Sequence, residues 1–345
     1  MSERDCTRRP RILVVGCGGS ISSVSAGLGA VPTLDAAQLV AELPEVEELA
    51  EIEARSFGLI PSAYMTLDLV AALHDELRSA LGSGWYDGAV VTHGTDTLEE
   101  AAFALDLLWS GDAPIIVTGA MRNASLPSPD GPANILASIA TAAAPAARGL
   151  GALVVLNDEI HAARLVQKSH TTSLAAFRSP SAGPIGYVAE GEARIVLVPA
   201  RREALRPGST PPSECPVALL TLGIGDDGRL LDAVLRSGYA GLVLEAFGGG
   251  HIPAKIAESD LFAEALAAMP VVLSSRTGAG PVLQRTYAGW SGSELDLLDR
   301  GLVSSGQLDG LKARVLLTLL LAGGADRREI ARAFAVHGGY QRRVS

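Results

Sequence analysis

The chain has 345 residues, of which 48% are hydrophobic and 19% charged, so it can bury a large core and is not a disordered protein. The length exceeds what one hydrophobic core normally holds and predicts about two domains. The net charge of −10 disfavours nucleic acid and anionic membrane surfaces as partners, but it says nothing about small substrates.

The cysteines and the start of the chain indicate in which cellular compartment the protein works. Cys6, Cys17 and Cys215 are odd in number and far apart, without metal-ligand or redox spacing, so we interpret them as free thiols. The charged start, Met1 to Pro10, is followed by an apolar run of only Ile12 to Val15, which is too short for a signal peptide. No later run approaches the ~18 apolar residues of a membrane span. The sequence therefore predicts a soluble, cytoplasmic protein.

The first predicted strand, Arg11 to Val15, ends in the glycine-rich turn Gly16-Cys17-Gly18-Gly19-Ser20-Ile21. Glycines let the backbone turn tightly and approach a ligand closely. A dinucleotide-binding fingerprint is excluded, because position 21 is Ile rather than Gly and no helix follows promptly. The turn presents Ser20 at the tip of the strand, although an isolated serine in such a turn is more often a turn residue than a nucleophile. The next segment, Ser22 to Gly29, has the composition of a mobile loop.

Further along, helices are predicted over Asp35 to Ala54 and Leu67 to Leu81. A strand over Gly88 to Val91 then ends in His93-Gly94-Thr95-Asp96-Thr97, and a helix over Glu99 to Trp109 follows. Such a turn lies at the carboxyl end of a parallel sheet, where open α/β sheets bind ligands. Taken alone, Thr95 and Asp96 are more often simple caps of the following helix.

Two more strands complete the first half. Pro114 to Thr118 ends in Gly119-Ala120-Met121-Arg122, and Gly151 to Leu156 leads to Asn157-Asp158. Lys168 lies in a polar run, where a lysine is normally solvated but, when desolvated, can act as a base. Strands alternating with helices indicate a parallel, doubly wound sheet.

The domain organisation follows from a change in composition. We expect an N-terminal α/β catalytic domain over residues 1–200, a proline-rich linker over 201–216 and a C-terminal α/β domain over 217–345. In the last domain the predicted strands are Val217–Leu222, Gly241–Leu244 and Val271–Ser274, and the predicted helices are Leu230–Ser237, Ala254–Ala268, Gln307–Leu321 and Arg327–Ala335.

Together these motifs resemble the bacterial asparaginase/glutaminase family over nearly the whole chain. The strongest marker is His93-Gly94-Thr95-Asp96-Thr97-Leu98-Glu99-Glu100, which is close to the family's HGTDT-(M/L)-EE box. Other blocks of the family are matched by Thr118–Arg122 with Asp130–Asn134, by Leu156–Asp158 with Ala163-Arg164 and Lys168–Thr172, and by Ser274–Arg276 and Lys312–Arg314.

The resemblance implies a two-domain asparaginase-like α/β fold, with a larger N-terminal, mostly parallel, doubly wound sheet plus a smaller C-terminal α/β domain. It implies hydrolysis of the side-chain amide of asparagine or glutamine through a covalent acyl-enzyme, without metal or cofactor. It also implies a homodimer or homotetramer in which a neighbouring subunit's second domain reaches the active site.

By the same resemblance, Ser20 takes the place of the nucleophilic threonine in the family's TGGTI box. Thr95 matches the second family threonine, which is coupled to a lysine and an aspartate that match Lys168 and Asp96. Ser62 resembles the serine that holds the substrate's α-carboxylate, and Asp96 also binds the α-ammonium group. The expected substrate-binding set is completed by Gly19, Gly94 and Ala120.

These residue types suit the implied chemistry. A hydroxyl needs a neighbouring base to become a nucleophile, and a desolvated lysine can deprotonate Thr95 while Asp96 fixes the geometry. Backbone N–H groups of the glycine-rich turn can stabilise an oxyanion. His93 is interpreted as a buried, hydrogen-bonded residue rather than a metal ligand, because no second ligand lies at zinc-like spacing. Cys17 is interpreted as a packing residue.

Three departures from the family pattern leave the substrate open. Ser20 lacks the β-methyl group that restricts χ1 of threonine, and no tyrosine lies between Ile21 and Ala54, where the family loop carries one that activates the nucleophile. Gly248–His251 and Thr286-Tyr287 lack the acidic or amide groups that a neighbouring subunit supplies. The alternatives are a different amide, ester or thioester substrate, or a catalytically silent amino-acid-binding homologue. The retained lysine argues against the silent homologue, because pure binding does not need it.

Overall fold

The computed structural model describes residues 8–27 and 29–339, without the side chain of Ala26. Cys6 therefore lies outside the described residues. The chain divides into two compact units, Met1–Ala204 and Leu205–Ser345. Each unit contains its own parallel strands and its own core.

An eight-stranded sheet frames the first unit. The strands of this unit are β1 (Arg11–Gly16), β2 (Ser23–Ala26), β3 (Gly29–Pro32), β4 (Glu51–Ser56), β5 (Gly88–Thr92), β6 (Ile115–Thr118), β7 (Ala152–Leu156), β8 (Glu159–Ala162), β9 (Gln167–Lys168), β10 (Phe177–Arg178), β11 (Gly186–Ala189) and β12 (Glu192–Ile195). The order in the large sheet is β12-β11-β8-β7-β6-β5-β1-β4, and β2 with β3 and β9 with β10 form separate pairs.

The helices of the first unit are α1 (Ala36–Ala41), α2 (Val46–Leu49), α3 (Leu67–Gly82), α4 (Leu98–Leu108) and α5 (Gly131–Ala143). α3 begins where Thr66 Oγ1 accepts a hydrogen bond from Leu69 N, and it buries Val70, Leu73 and Leu77 at helical spacing. The predictions for α3 and α4 are confirmed to within one residue at each end. α4 is apolar on nearly all sides because it lies within the core.

The strand order places a topological switch at one edge of the sheet. β1 is parallel to both of its neighbours, pairing Val14 with Ala54 of β4 and with Val90 of β5. After β4 the chain crosses β1 and adds β5, β6 and β7 on the other side. This reversal opens a crevice at the carboxyl ends of β1 and β5, which is where open α/β sheets bind ligands.

The prediction of one helix from Asp35 to Ala54 is wrong. Pro44 cannot continue a helix, and the segment instead contains the short α1 and α2 followed by the edge strand β4. In β4, Ile52 and Ala54 are half-buried, while Glu51, Glu53 and Arg55 are exposed. This period of two is that of a strand with one covered face.

The segment Ser22 to Gly29, which has the composition of a mobile loop, contains regular structure. β2 and β3 form an antiparallel hairpin, in which Val24 pairs with Val31 and Ser23 with Pro32. Leu28 lies outside the described residues. Three strands that the sequence did not reveal, β8, β11 and β12, extend the sheet in antiparallel fashion beyond β7.

The second unit has a four-stranded parallel sheet in the order of the chain. Its strands are β13 (Val217–Thr221), β14 (Gly241–Ala246), β15 (Val271–Ser275) and β16 (Val303–Ser304), and its helices are α6 (Arg229–Arg236), α7 (Ala254–Ala257), α8 (Asp260–Ala268), α9 (Glu294–Asp299), α10 (Gly310–Ala322) and α11 (Arg327–His337). The predicted helix Ala254–Ala268 is broken at Ser259, whose hydroxyl accepts from Phe262 N and caps α8. Among residues 8–27 and 29–339, none of the helices has the length and apolar character that a membrane span requires.

Candidate active site

Three turns meet in the crevice between β1 and β5. A Cβ atom on Gly19 would lie 2.1 Å from Gly94 Cα, and one on Gly94 would lie 2.6 Å from Ser62 Oγ. Gly19 has φ 84°, a backbone conformation that residues with a side chain rarely adopt. The absence of side chains at both glycines therefore brings the turns after β1, β4 and β5 into direct contact, and it places Ser20, Thr95 and Ser62 on adjoining segments.

Lys168 joins Thr95 and Asp96 in one hydrogen-bonded network. Its Nζ donates to Thr95 Oγ1 at 2.9 Å and to Asp96 Oδ1 at 3.1 Å. Thr95 is 5% exposed and the Lys168 side chain is 17% exposed, whereas 65% of the Asp96 side chain faces solvent. The lysine is thus largely withdrawn from water, while the carboxylate remains accessible to a ligand.

The backbone of Lys168 is held by two neighbours. Its N–H donates to Glu99 Oε1 at 3.1 Å, and its strand β9 pairs with Phe177 of β10. Glu99 lies in the first turn of α4, so the helix that follows Thr95 also positions the lysine. The sequence pattern alone assigns Glu99 no such role, although it is part of the box that carries the family resemblance.

Ser62 orients the Asp96 carboxylate from the other side. Its Oγ donates to Asp96 Oδ2 at 3.2 Å and lies 3.3 Å from Asp96 N. Thr97 Oγ1 donates to Ser62 O at 2.8 Å, which anchors the turn containing Ser62. One carboxylate oxygen of Asp96 therefore meets Lys168 and the other meets Ser62.

Ser20 lies beside this network without joining it. It is half-buried and begins a single 3₁₀ turn, Ser20–Ser22. Gly19 O accepts from Ser22 N at 3.1 Å and from Ser23 Oγ at 2.8 Å, and these bonds fix the backbone of the turn. Over the described residues, no hydrogen bond involves Ser20 Oγ. The structure thus brings Thr95, Asp96, Lys168 and Ser62 together and leaves the Ser20 hydroxyl outside their hydrogen-bond network.

Ala120 belongs to a fourth turn at the same edge, after β6. A Cβ atom on the preceding Gly119 would lie 3.2 Å from Thr95 Cγ2, so this turn packs directly on the network. Asn134 Nδ2 donates to Gly119 O at 2.9 Å, and Asp130 Oδ2 accepts from Met121 N at 3.0 Å. The first residues of α5 therefore fix the position of Ala120. Sequence reasoning missed this role, although the Asp130–Asn134 block is part of the resemblance.

Two potentially reactive side chains next to these turns, His93 and Cys17, are buried. His93 is 1% exposed, its Nδ1 lies 2.7 Å from Gly94 O, and burial lowers the pKa of its ring. Burial, with a smaller contribution from Glu76, raises the pKa of the Cys17 thiol to about 12. In the part of the chain that the structure describes, no group of three or more His, Cys, Asp and Glu side chains could hold a metal ion.

In the second unit, His251 forms an aromatic cluster. Its Nε2 lies 3.1 Å from Oε2 of Glu294, which is fully buried and also accepts from Thr286 N at 2.9 Å. The His251 ring meets Tyr287 and Trp290 edge-on, at centroid distances of 5.0 and 5.1 Å. This cluster occupies the stretches in which the resemblance places acidic or amide groups.

Comparison with known proteins covers both units. The family model described as "Asparaginase, N-terminal" matches residues 11–201, and the one described as "Glutaminase/Asparaginase C-terminal domain" matches residues 216–334. A probable L-asparaginase of Deinococcus radiodurans is 36% identical over 334 residues, covering 94% of this chain and 97% of that protein. L-asparaginase 2 of Escherichia coli is 32% identical over 335 residues, covering 94% of this chain and 92% of that protein.

The fold has a match among solved structures as well. The crystal structure of a probable cytoplasmic L-asparaginase from Campylobacter jejuni has a TM-score of 0.82 and 30% identity, with 95% of this chain and 99% of that chain covered. These findings confirm the resemblance seen in the sequence and the expected two-domain α/β fold. The chain belongs to the asparaginase family of amide hydrolases.

Proposed function

We propose that this protein hydrolyses the side-chain amide of L-asparagine, with L-glutamine as the second candidate substrate, through an acyl-enzyme on Ser20. The observation that carries the proposal is the contact of Lys168 Nζ with both Thr95 Oγ1 and Asp96 Oδ1. A largely buried lysine that touches a hydroxyl is suited to proton transfer. The relatives described as L-asparaginases support the choice of substrate.

In the proposed mechanism, Ser20 Oγ attacks the amide carbon and backbone N–H groups of the turns receive the developing oxyanion. The Ser20 proton passes through the Thr95–Lys168 pair to the amide nitrogen, and the C–N bond breaks to release ammonia. Water then attacks the ester while the same pair removes its proton. The free acid leaves and Ser20 regains its hydrogen.

Substrate recognition rests on groups of opposite charge and on hydrogen-bond donors. The exposed carboxylate of Asp96 suits the α-ammonium group of an amino acid, because charge-assisted hydrogen bonds are stronger than neutral ones. The Ser62 hydroxyl suits the α-carboxylate. The same side chains thus fix the substrate's backbone, and the turns that contain Gly19, Gly94 and Ala120 are the expected surroundings of its side-chain amide.

The proposal includes assembly and location. The family resemblance supports a homodimer or homotetramer. The description of the Campylobacter jejuni protein as a probable cytoplasmic enzyme supports a cytoplasmic location.

A second candidate is a different amide, ester or thioester substrate on the same machinery. It is favoured by the Ser20 hydroxyl, which is half-buried and has no hydrogen-bond partner over the described residues. A nucleophile without a contacting base suits a more reactive acyl group than an unactivated amide. A catalytically silent binding protein is disfavoured by the contact between Lys168 and Thr95.

The test is ammonia release from the purified protein with L-asparagine, L-glutamine and their D-forms, comparing wild type, Ser20→Ala, Thr95→Val and Thr95→Ser. We expect turnover of an L-amide, a loss of about 100-fold or more in Ser20→Ala and Thr95→Val, and partial activity in Thr95→Ser, which keeps a hydroxyl. Unchanged ammonia release in Ser20→Ala and Thr95→Val would contradict the mechanism. No turnover by folded wild type would favour the second candidate, which predicts an adduct on Ser20 by intact mass.

A further inference from the structure

His93 is a buried histidine that the proposed mechanism does not use. It is 1% exposed, and its Nδ1 lies 2.7 Å from the carbonyl oxygen of Gly94. A carbonyl oxygen only accepts hydrogen bonds, so Nδ1 carries the ring proton and donates to Gly94 O. Burial lowers the pKa of the ring, which keeps the imidazole neutral. His93 is therefore a fixed, uncharged donor to the peptide group that joins Gly94 to Thr95.

This hydrogen bond restrains a peptide group that has few other restraints. Gly94 has no side chain, and glycine tolerates a wide range of backbone angles. Across residues 8–27 and 29–339, the imidazole of His93 is the only group that donates a hydrogen bond to Gly94 O. Without the imidazole, the carbonyl group would lose this partner and the peptide group could turn.

The opposite side of the same peptide group carries the Thr95 N–H. No cis peptide bond occurs in the described residues, and the N–H of a trans peptide points away from its C=O. Thr95 is 5% exposed, yet in the described part of the chain no group accepts a hydrogen bond from its N–H. A buried N–H without a partner is rare in folded proteins. At a candidate active site, such an N–H is a donor that a ligand can use.

We propose that His93 is a positioning residue for the hydrolysis of the amide. Through Gly94 O it holds the Thr95 N–H toward the carbonyl oxygen of the substrate's side-chain amide, where this N–H stabilises the negative charge that develops on that oxygen. The hydroxyl of Thr95 meets Lys168 Nζ at 2.9 Å, so His93 also fixes the backbone from which that hydroxyl projects. This role rests on the proposed function, because it requires an amide substrate.

The test compares kcat and KM of ammonia release for wild type, His93→Leu and His93→Asn. Leucine is close to histidine in size and has no donor, whereas the side-chain amide of asparagine offers an N–H near the position of Nδ1. We expect kcat to fall about 10- to 100-fold in His93→Leu and to recover to within about fivefold of wild type in His93→Asn. KM should change less than about threefold, because Asp96 and Ser62 hold the substrate in the ground state.

The control is His74→Leu, which removes another buried histidine, 2% exposed, from α3. Its ring packs edge-on against Trp109 at the carboxyl-terminal end of α4, whereas Thr95 precedes the amino-terminal end. We expect His74→Leu to lower the Tm about as much as His93→Leu and to keep the wild-type kcat. An equal fall of kcat in His74→Leu would overturn the proposal. An unchanged kcat in His93→Leu, or no recovery in His93→Asn, would overturn it too, while the proposed function would stand.

A second readout does not depend on turnover. In protein labelled with ¹⁵N-histidine, the ring signals that disappear in His93→Leu belong to His93, and their shifts show which nitrogen is protonated. We expect a neutral ring protonated on Nδ1 from about pH 5.5 to 8, and protonation on Nε2 would overturn the proposal. If folded wild type released no ammonia from any amide, the proposed function would itself be wrong, and the positioning role would fail with it.

Discussion

Lys168 is the residue whose surroundings bear most directly on the proposed chemistry. Lys168→Met keeps the unbranched, flexible shape of the side chain up to the third atom beyond Cβ and removes the donors to Thr95 and Asp96. We expect kcat/KM for the amide to fall about 100-fold or more with little change in Tm, because Glu99 and β10 hold the lysine through its backbone. Steady-state ammonia release and thermal unfolding measure both effects.

The matched control for this prediction is Lys255→Met, which removes an exposed lysine of α7. It should leave both kcat/KM and Tm unchanged. If Lys168→Met kept most of the wild-type kcat/KM, the lysine would be a structural residue and another base would have to serve Thr95.

Cys17 offers a second test at the residue scale. With a pKa of about 12, only about one thiol in 10⁴ is ionised at pH 8, and the thiolate is the reactive form. We expect iodoacetamide to leave Cys17 unmodified in the folded protein and to label it in urea, as read by peptide mapping. Cys215, which is half-exposed, is the internal control that should react in the folded state. Rapid labelling of folded Cys17 with loss of activity would instead place a reactive thiol at the site.

At the scale of elements, the close approach of the turns after β1, β4 and β5 builds the site. Gly94→Ala adds a Cβ atom 2.6 Å from the Ser62 Cβ and Oγ atoms and 2.9 Å from Gly19 Cα, so the turns must separate. We expect a loss of about 1–3 kcal/mol in the free energy of unfolding and a larger loss of activity, because a displacement of about 1 Å in a catalytic site is costly. Urea denaturation and ammonia release report the two effects.

The control is Gly82→Ala, at the last residue of α3. Its Cβ atom would meet nothing within 4 Å, and alanine favours helix over glycine by up to about 1 kcal/mol. We expect unchanged activity and equal or higher stability. Similar behaviour of the two variants would show that the turns have room to move apart without consequence.

The strands that sequence reasoning found are apolar runs, and most of their positions are buried. β5 is buried at every position, so it is visible as an uninterrupted apolar run. β4 has one half-covered face and charged residues at Glu51, Glu53 and Arg55. The same residue types are also compatible with a solvated helix. The hairpin β2–β3 is made of small residues that carry little hydrophobic pattern. These strands form because they pair with a neighbouring strand. A short stretch of sequence around each of them does not show that pairing.

The same limit applies to the site. A strand ending in Thr95-Asp96 before a helix predicts that both residues lie at the carboxyl edge of the sheet, and the structure places them there. The contact of Lys168 Nζ with Thr95 joins residues 73 positions apart, and only the family resemblance could suggest it.

At the scale of the whole molecule, buried titratable groups make stability depend on pH in opposite directions. Burial lowers the pKa of His93 and His161, so their contribution to stability is present above about pH 6.5 and is lost as the pH falls. Asp106 acts in the other sense, because its pKa in the folded protein is about 6, above its ordinary value of 3.8. The difference in unfolding free energy between wild type and an Asp106 variant, taken at each pH, isolates the effect of Asp106, since the histidines contribute equally to both proteins.

Asp106→Asn should therefore stabilise the protein in a pH-dependent way. The folded protein holds the Asp106 proton more tightly than the unfolded chain does, so wild type loses stability relative to the variant as the pH rises from about 4 to 6, by at most about 3 kcal/mol. Asparagine keeps an acceptor for Ala152 N. We expect a difference in urea unfolding free energy that is small at pH 4 and constant above pH 6.5. For the control Asp75→Asn, which changes an exposed carboxylate, the difference in unfolding free energy from wild type should not rise with pH in this way. If the difference for Asp106→Asn also stayed constant with pH, the charges of Arg164 and Arg201 would already compensate the Asp106 carboxylate.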